Sequence, residues 1–314
     1  MVDFIKAVIP PNHIPLLLEN EYLEFKQELN NRTGELSKKQ VAKYNDLKFT
    51  VFADNYAEIS GSLHKFFNGG LHNADEFGLL DLLTVLNQIE SLFKIDLGRY
   101  KLSNIEIGVN IPISFKASQI LNYLLIHQTV RFKDVSLING NYKQATHSQY
   151  LVKIYDKGKQ YRREFPQFQN ELLRFELKYF KMQKLNDRGI FVLNDLFDTD
   201  NLAFIFDLLE IAWDETLLYD KTIQKSKLTP YVVLKKLNQW QNVNYWLELT
   251  KQRRYEVRKA YHSLVEDHSD NRHSKIGRDI KNKWFELVNN SLPIYRIINK
   301  HFITILPFNY NVRK

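Results

Sequence analysis

The strongest constraint in this sequence is a period-two alternation that recurs in three separate stretches. Asn104–Ile111 is the cleanest: Ile105, Ile107, Val109 and Ile111 point one way, and Glu106, Gly108 and Asn110 the other. Pro112 ends this strand or places it near an edge. Gln149–Tyr161, QYLVKIYDKGKQY, opens the same way. It puts Tyr150, Val152 and Ile154 on one face and Leu151, Lys153 and Tyr155 on the other, with Gly158 marking a turn or break. In Leu172–Tyr179, Leu173, Phe175, Leu177 and Tyr179 oppose Arg174, Glu176 and Lys178. If the last two strands share a sheet, its polar face carries a tyrosine hydroxyl, an acid and several cations. That is a kit for attacking a phosphodiester. A solvated sheet face with mixed charges is the competing reading.

Composition narrows the classes. With 44% hydrophobic and 13% aromatic residues, the 314-residue chain can bury a real core. It has no cysteine, which excludes disulfides, zinc–thiolate sites, iron–sulfur clusters and a cysteine nucleophile. The opening MVDFIKAVIPPNHIPLL reads as no signal peptide, and no apolar run approaches the roughly 20 residues of a membrane span, so a cytoplasmic location and no membrane partner are expected. The net charge of +8 favours a polyanionic partner. Residues 221–300 hold 17 Lys/Arg against 7 Asp/Glu, whereas 201–220 hold 5 acids and no Lys or Arg, so the basic charge is concentrated late.

Along the chain, Glu21–Tyr44 is polar, with Arg32-Thr33-Gly34-Glu35 as a turn, and Leu47–Phe52 reads as a strand. Tyr56–Phe67 reads as a strand, or as a strand running into a turn; Ile59, Gly61 and Leu63 alternate against Glu58, Ser60, Ser62 and His64. Leu79–Phe93 has helical spacing, with Asp75 or Asn73 as cap. Ser118–His127 reads as a short helix, and Val130–Lys133 and Val135–Ile138 as short strands around Asn139-Gly140-Asn141. Helical signals dominate afterwards: Ala203–Ala212, Pro230–Asn238, one long helix over Val243–Val265, and Ile276–Val288, before an apolar finish at Ile294–Pro307. The expected fold class is α+β. An antiparallel sheet with helices fills 1–198, and a mainly helical basic region, for DNA binding or interaction, fills 199–314.

Three short motifs in order then add a resemblance. Ile105-Glu106-Ile107, Ile154-Tyr155-Asp156-Lys157 and Arg174-Phe175-Glu176 are similar in type and spacing to the motifs of rolling-circle replication initiators of plasmids and single-stranded-DNA phages, the replication initiation factor or Rep_trans-like class. Segments like GSLHKFFN and NIEIGVNI resemble the Bacteroidetes-type variants. The resemblance covers about Ala57 to Leu196. It implies an HUH-like nuclease sheet whose histidine pair is not strictly kept. It also implies nicking of single-stranded or extruded origin DNA through a phosphotyrosine, later rejoined, with origin DNA, a host helicase and a homodimer as partners.

By that match Tyr155 is the nucleophile, with Tyr161 as backup. A phenol needs a base, cation or metal at neutral pH. Lys153, Lys157 and Arg174 are the cations placed to lower its pKa or to bind the scissile phosphate. Glu106 and Glu176, each the lone acid on the polar side of an apolar strand, suit Mg²⁺ or Mn²⁺; each can instead be solvated or pair with Arg174. Asn110 departs from the acid common in relatives. His64 is a third candidate ligand. In KQRRYEVRK, Lys251, Arg253, Arg254, Arg258 and Lys259 can contact DNA phosphates, with a solvated basic helix face as the rival. No GxxxxGK[ST] loop is present, so no helicase activity is expected in this chain. The alternative function is a non-catalytic, sequence-specific DNA-binding protein on the same fold.

Overall fold

The computed structural model describes residues 1–52, 55–73, 75–137, 140–162, 166 and 171–289. Its strands are β1 (Val2–Ile9), β2 (Lys26–Leu29), β3 (Leu36–Tyr44), β4 (Leu47–Val51), β5 (Ala57–Ser62), β6 (Lys101–Pro112), β7 (Leu124–His127), β8 (Val130–Arg131), β9 (Lys133–Leu137), β10 (Gly140–Thr146), β11 (Tyr150–Asp156), β12 (Leu172–Tyr179) and β13 (Thr216–Leu218). Ten of them form one antiparallel sheet in the order β2-β3-β4-β5-β1-β6-β12-β11-β10-β9. The three alternating stretches become β6, β12 and β11, side by side near its middle. Pro112 therefore ends a central strand rather than marking an edge.

Six helices carry most of the argument: α1 (Leu63–Phe67), α2 (Leu79–Phe93), α3 (Lys157–Tyr161), α4 (Thr199–Asp214), α5 (Lys251–His268) and α6 (Arg272–Asn289). Apolar stripes on α2 (Leu82, Leu86, Ile89), α4 (Leu202, Ile205, Leu209, Trp213) and α6 (Ile276, Ile280, Trp284, Leu287) belong to one buried cluster with Ile105, Ile107, Val109 and Phe175 of the sheet. Phe175 and Trp213 meet edge-on at 5.2 Å. Burying each such side chain stabilises by about 1.5–3 kcal/mol. The core does not divide at 198/199: α4 and α6 share one cluster with the sheet. A separate, smaller cluster joins Trp240, Trp246, Val257 and Tyr261 to Leu125 and Leu217.

Two expected helices change form. Ser118–His127 is helical only over Ser118–Leu121; Leu124–His127 is extended and pairs with β13. The long helix expected over Val243–Val265 is two, Val243–Glu248 and α5, because Leu249 is extended and the Thr250 hydroxyl accepts the Arg253 N–H as an N-cap. The apolar finish at Ile294–Pro307 lies outside the described residues. Among the described residues, no helix is long and apolar enough to cross a membrane.

Candidate active site

Strand register builds the site. Across the middle of the sheet, Asn110, Arg174 and Tyr155 stand in one row, Gly108, Glu176 and Lys153 in the next, and Glu106, Lys178 and Leu151 in the third. Strict alternation in β1 would put Asp3 with the core residues Ile5, Ala7 and Ile9. The β1–β6 register instead slips between Val2 and Phe4, which turns the Asp3 carboxylate onto the polar side. There it accepts from Arg174 (2.9 Å), Asn73 (2.7 Å) and the Ser62 hydroxyl (2.5 Å).

This face is buried rather than solvated. Arg174 and Glu176 are each only 2% exposed. Asn73, in the loop before α2, reaches over the face and accepts from the Lys157 ammonium at 2.6 Å. The row between Glu106 and Asn110 is glycine for a reason. A Cβ on Gly108 would lie 2.7 Å from the Phe175 carbonyl oxygen, 2.9 Å from Glu176 Cγ and 3.0 Å from Arg174 Cζ. Gly108→Ala is therefore expected to cost about 1–3 kcal/mol in stability. Urea unfolding reads that loss; an unchanged midpoint would show that the sheet yields at no cost.

The candidate groups lie close together. The Tyr155 hydroxyl donates to Glu176 Oε1 at 2.8 Å, and the same oxygen accepts from Arg174 Nε at 2.9 Å. Lys153 donates to Glu106 Oε2 at 3.0 Å and lies 3.5 Å from Glu176 Oε2. Lys157 Nζ is 3.5 Å from the Tyr155 oxygen. A cavity of about 430 Å³ opens onto Tyr155, Glu106, Glu176, Lys153 and Lys157.

Burial and charge set the protonation states. The cations were expected to lower the Tyr155 pKa, but burial and the Glu176 carboxylate push it well above its ordinary value of 10. The hydroxyl thus stays protonated and donates to Glu176. Burial opposes the charged form of Glu176, yet Arg174 and Lys153 outweigh it and hold the carboxyl below its usual range. Asp3 follows the same pattern, with Arg174 and Lys157 winning over burial. Glu106 goes the other way, raised by burial and by the neighbouring Glu176 charge. Burial and Arg174 bring Lys157 down to about 8.

Asp3, Glu106 and Glu176 each offer a carboxylate oxygen, and these oxygens lie within 4.8 Å of one another. Three hard oxygen donors fit Mg²⁺ or Mn²⁺. Glu106 is raised by burial first and by the neighbouring Glu176 charge second, and a divalent cation bound there would offset the second. His64 does not join this trio. β5 stops at Ser62, whose hydroxyl caps α1 by accepting the Lys65 N–H. The His64 ring then stacks on Phe77 and its Nε2 meets Asp75 Oδ1 at 2.7 Å. Asp3, which the sequence reading passed over, stands as the third acid.

The basic helix is partly structural. Arg254 donates to the carbonyls of Trp246 (2.8 Å) and Leu249 (2.6 Å), and Arg258 to those of Asp214 (2.5 Å) and Thr216 (3.2 Å) at the end of α4. Arg253 pairs with Glu256 at 2.9 Å on the surface, and Lys251 and Lys259 are exposed. The side chain of Tyr161 lies outside the described residues.

No protein-family model matches this chain, and no curated protein matches it. Among solved structures, the chain is similar to a rolling-circle replication initiator protein from Geobacillus stearothermophilus. The identity is 15%, the alignment covers 59% of this chain and 75% of that one, and the TM-score is 0.35. A likeness that loose assigns no activity.

Proposed function

We propose that this chain is a replication initiator that nicks and rejoins single-stranded origin DNA through Tyr155. The observation that carries the reading is the Tyr155 hydroxyl donating at 2.8 Å to a carboxylate beside two further acids, at the wall of a lysine-lined cavity. In the forward step the Tyr155 oxygen forms a bond to a backbone phosphorus. Its proton passes to Glu176, the bond from phosphorus to the 3′-oxygen breaks, and that oxygen leaves as a 3′-hydroxyl after taking a proton from solvent. The phosphodiester energy is kept in the phosphotyrosine, so a 3′-hydroxyl can reverse the step while Glu176 returns the proton. Arg174 and Lys153 hold Glu176 ionised for its part as acceptor. Asp3, Glu106 and Glu176 would hold a divalent ion, which would supply Lewis-acid polarisation of the phosphate when bound. Lys251, Arg253 and Lys259 supply salt-sensitive phosphate contacts. Origin recognition, a host helicase and a homodimeric state complete the reading, on the strength of the motif resemblance.

The test is a covalent-adduct assay on single-stranded DNA from the replicon that encodes the protein. With Mn²⁺ or Mg²⁺ an SDS-resistant protein–DNA adduct is expected, and chelator should abolish it. A complex that forms only in low salt, with no adduct on any strand, would establish the non-catalytic DNA-binding alternative instead.

A further inference from the structure

Tyr142 lines the cavity that holds Tyr155, beside the candidate nucleophile. β10 and β11 pair so that Tyr142 stands directly opposite Tyr155, one strand spacing away. The two ring centroids are 6.5 Å apart with planes inclined at 58°. Tyr142 is half-buried, belongs to neither hydrophobic cluster, and lines the same cavity as Tyr155. The Lys153 ammonium lies 5.9 Å from its ring centroid, which leaves the ring beside a cation that also serves the two carboxylates. Among the described residues no hydrogen bond holds the Tyr142 hydroxyl, whereas that of Tyr155 is held by Glu176. An aromatic ring on a polar strand face, uncommitted to the core and open to a cavity, has a natural occupant in the flat face of an unpaired base.

The surroundings fit that occupant. Ser118, Asn122 and Gln160 line the cavity and offer hydrogen-bonding groups to base edges, while Lys159 stands nearby as a cation for the adjoining backbone and Lys143 is paired with Asp134 at 2.7 Å. We infer that Tyr142 is the stacking platform for the nucleobase adjacent to the phosphate that Tyr155 attacks, which restricts the substrate to unpaired nucleic acid. This rests on the nicking reading for the identity of that phosphate. Tyr142 acts here as a substrate-positioning residue. The competing role is cross-strand packing that merely props Tyr155 in place.

The two roles separate in a binding measurement made in chelator, where no nicking is needed. The probes are a labelled 12-nucleotide oligo(dT) and a labelled 12-unit abasic chain with the same phosphates, read by fluorescence anisotropy. Wild type should prefer oligo(dT). Tyr142→Ala should weaken oligo(dT) binding by about 5- to 150-fold and leave the abasic affinity unchanged. Tyr142→Phe should keep the wild-type preference, which controls for folding. Equal losses on both probes, no loss on either, or a wild type indifferent to bases would overturn the assignment. Because the readout is binding alone, a missing covalent adduct would sink the nicking reading while leaving this result to stand or fall by itself.

Discussion

Tyr155→Phe should leave no SDS-resistant adduct on any origin-derived strand, while binding those strands about as well as wild type. The substitution keeps the ring and removes one oxygen. Glu176 loses the 2.8 Å donor but retains Arg174 at 2.9 Å, so no buried carboxylate is left bare. The stability loss should therefore sit at the low end of the about 1.5–3 kcal/mol typical of a hydrogen bond to a charged group. Complete loss of chemistry with near-native unfolding is the signature of a removed nucleophile. An adduct that persists would move the nucleophile elsewhere, Tyr161 first. The wild-type pH profile tests the proton path. The phenol pKa is raised well above 10 by burial and Glu176, and the Glu176 carboxyl is held below its usual range by Arg174 and Lys153. The adduct rate should fall at acid pH as Glu176 gains a proton, stay level through neutrality, and fall again above about pH 8 as Lys157 loses its charge. A rate that climbed tenfold per pH unit through pH 7–8 would mean that the phenol ionises without Glu176.

The parts of this site that were legible in the sequence are those where period two runs without interruption. Glu106, Lys153, Tyr155, Arg174 and Glu176 lie on the faces that alternation assigns, because β6, β11 and β12 pair without a register shift. Asp3 was illegible because a one-residue slip in β1 moves it from the core side to the polar side. Alternation also gives the side of a strand but not what covers it. Arg174 and Glu176 are buried, and Asn73, distant in sequence, reaches Asp3 and Lys157 on the same face. The helix break at Thr250 was readable in principle, since Thr is a good N-cap, but the apolar spacing on either side ran straight through it. Arg254 and Arg258 look like solvated charge until the carbonyls at the ends of neighbouring helices are brought to them.

Arg174→Met should lower stability by about 3–5 kcal/mol at neutral pH, the range for removing one partner of a buried ion pair. The guanidinium bonds Asp3 at 2.9 Å, Glu176 at 2.9 Å and Asn110 at 3.1 Å, so its loss leaves two buried carboxylates without their main counter-charge. The loss should depend on pH in a defined direction. In wild type, Asp3 is held below its ordinary 3.8, so its stabilising share is full above that value and fades as pH falls through the depressed folded value. In the variant, burial acts without the guanidinium and pushes Asp3 and Glu176 upward. Their penalty is then full at neutral pH and is relieved as pH falls through the raised folded values. The gap between the two proteins should therefore shrink from pH 7 to pH 4 in urea unfolding. Mn²⁺ offers a second handle. If the three acids bind it, a concentration of 100 times its Kd should return about 2.7 kcal/mol to the variant, independent of any DNA. A gap of equal size at both pH values would mean that Arg174 holds the sheet by packing, and a variant whose own unfolding midpoint Mn²⁺ leaves unmoved would mean that the three acids form no cation site.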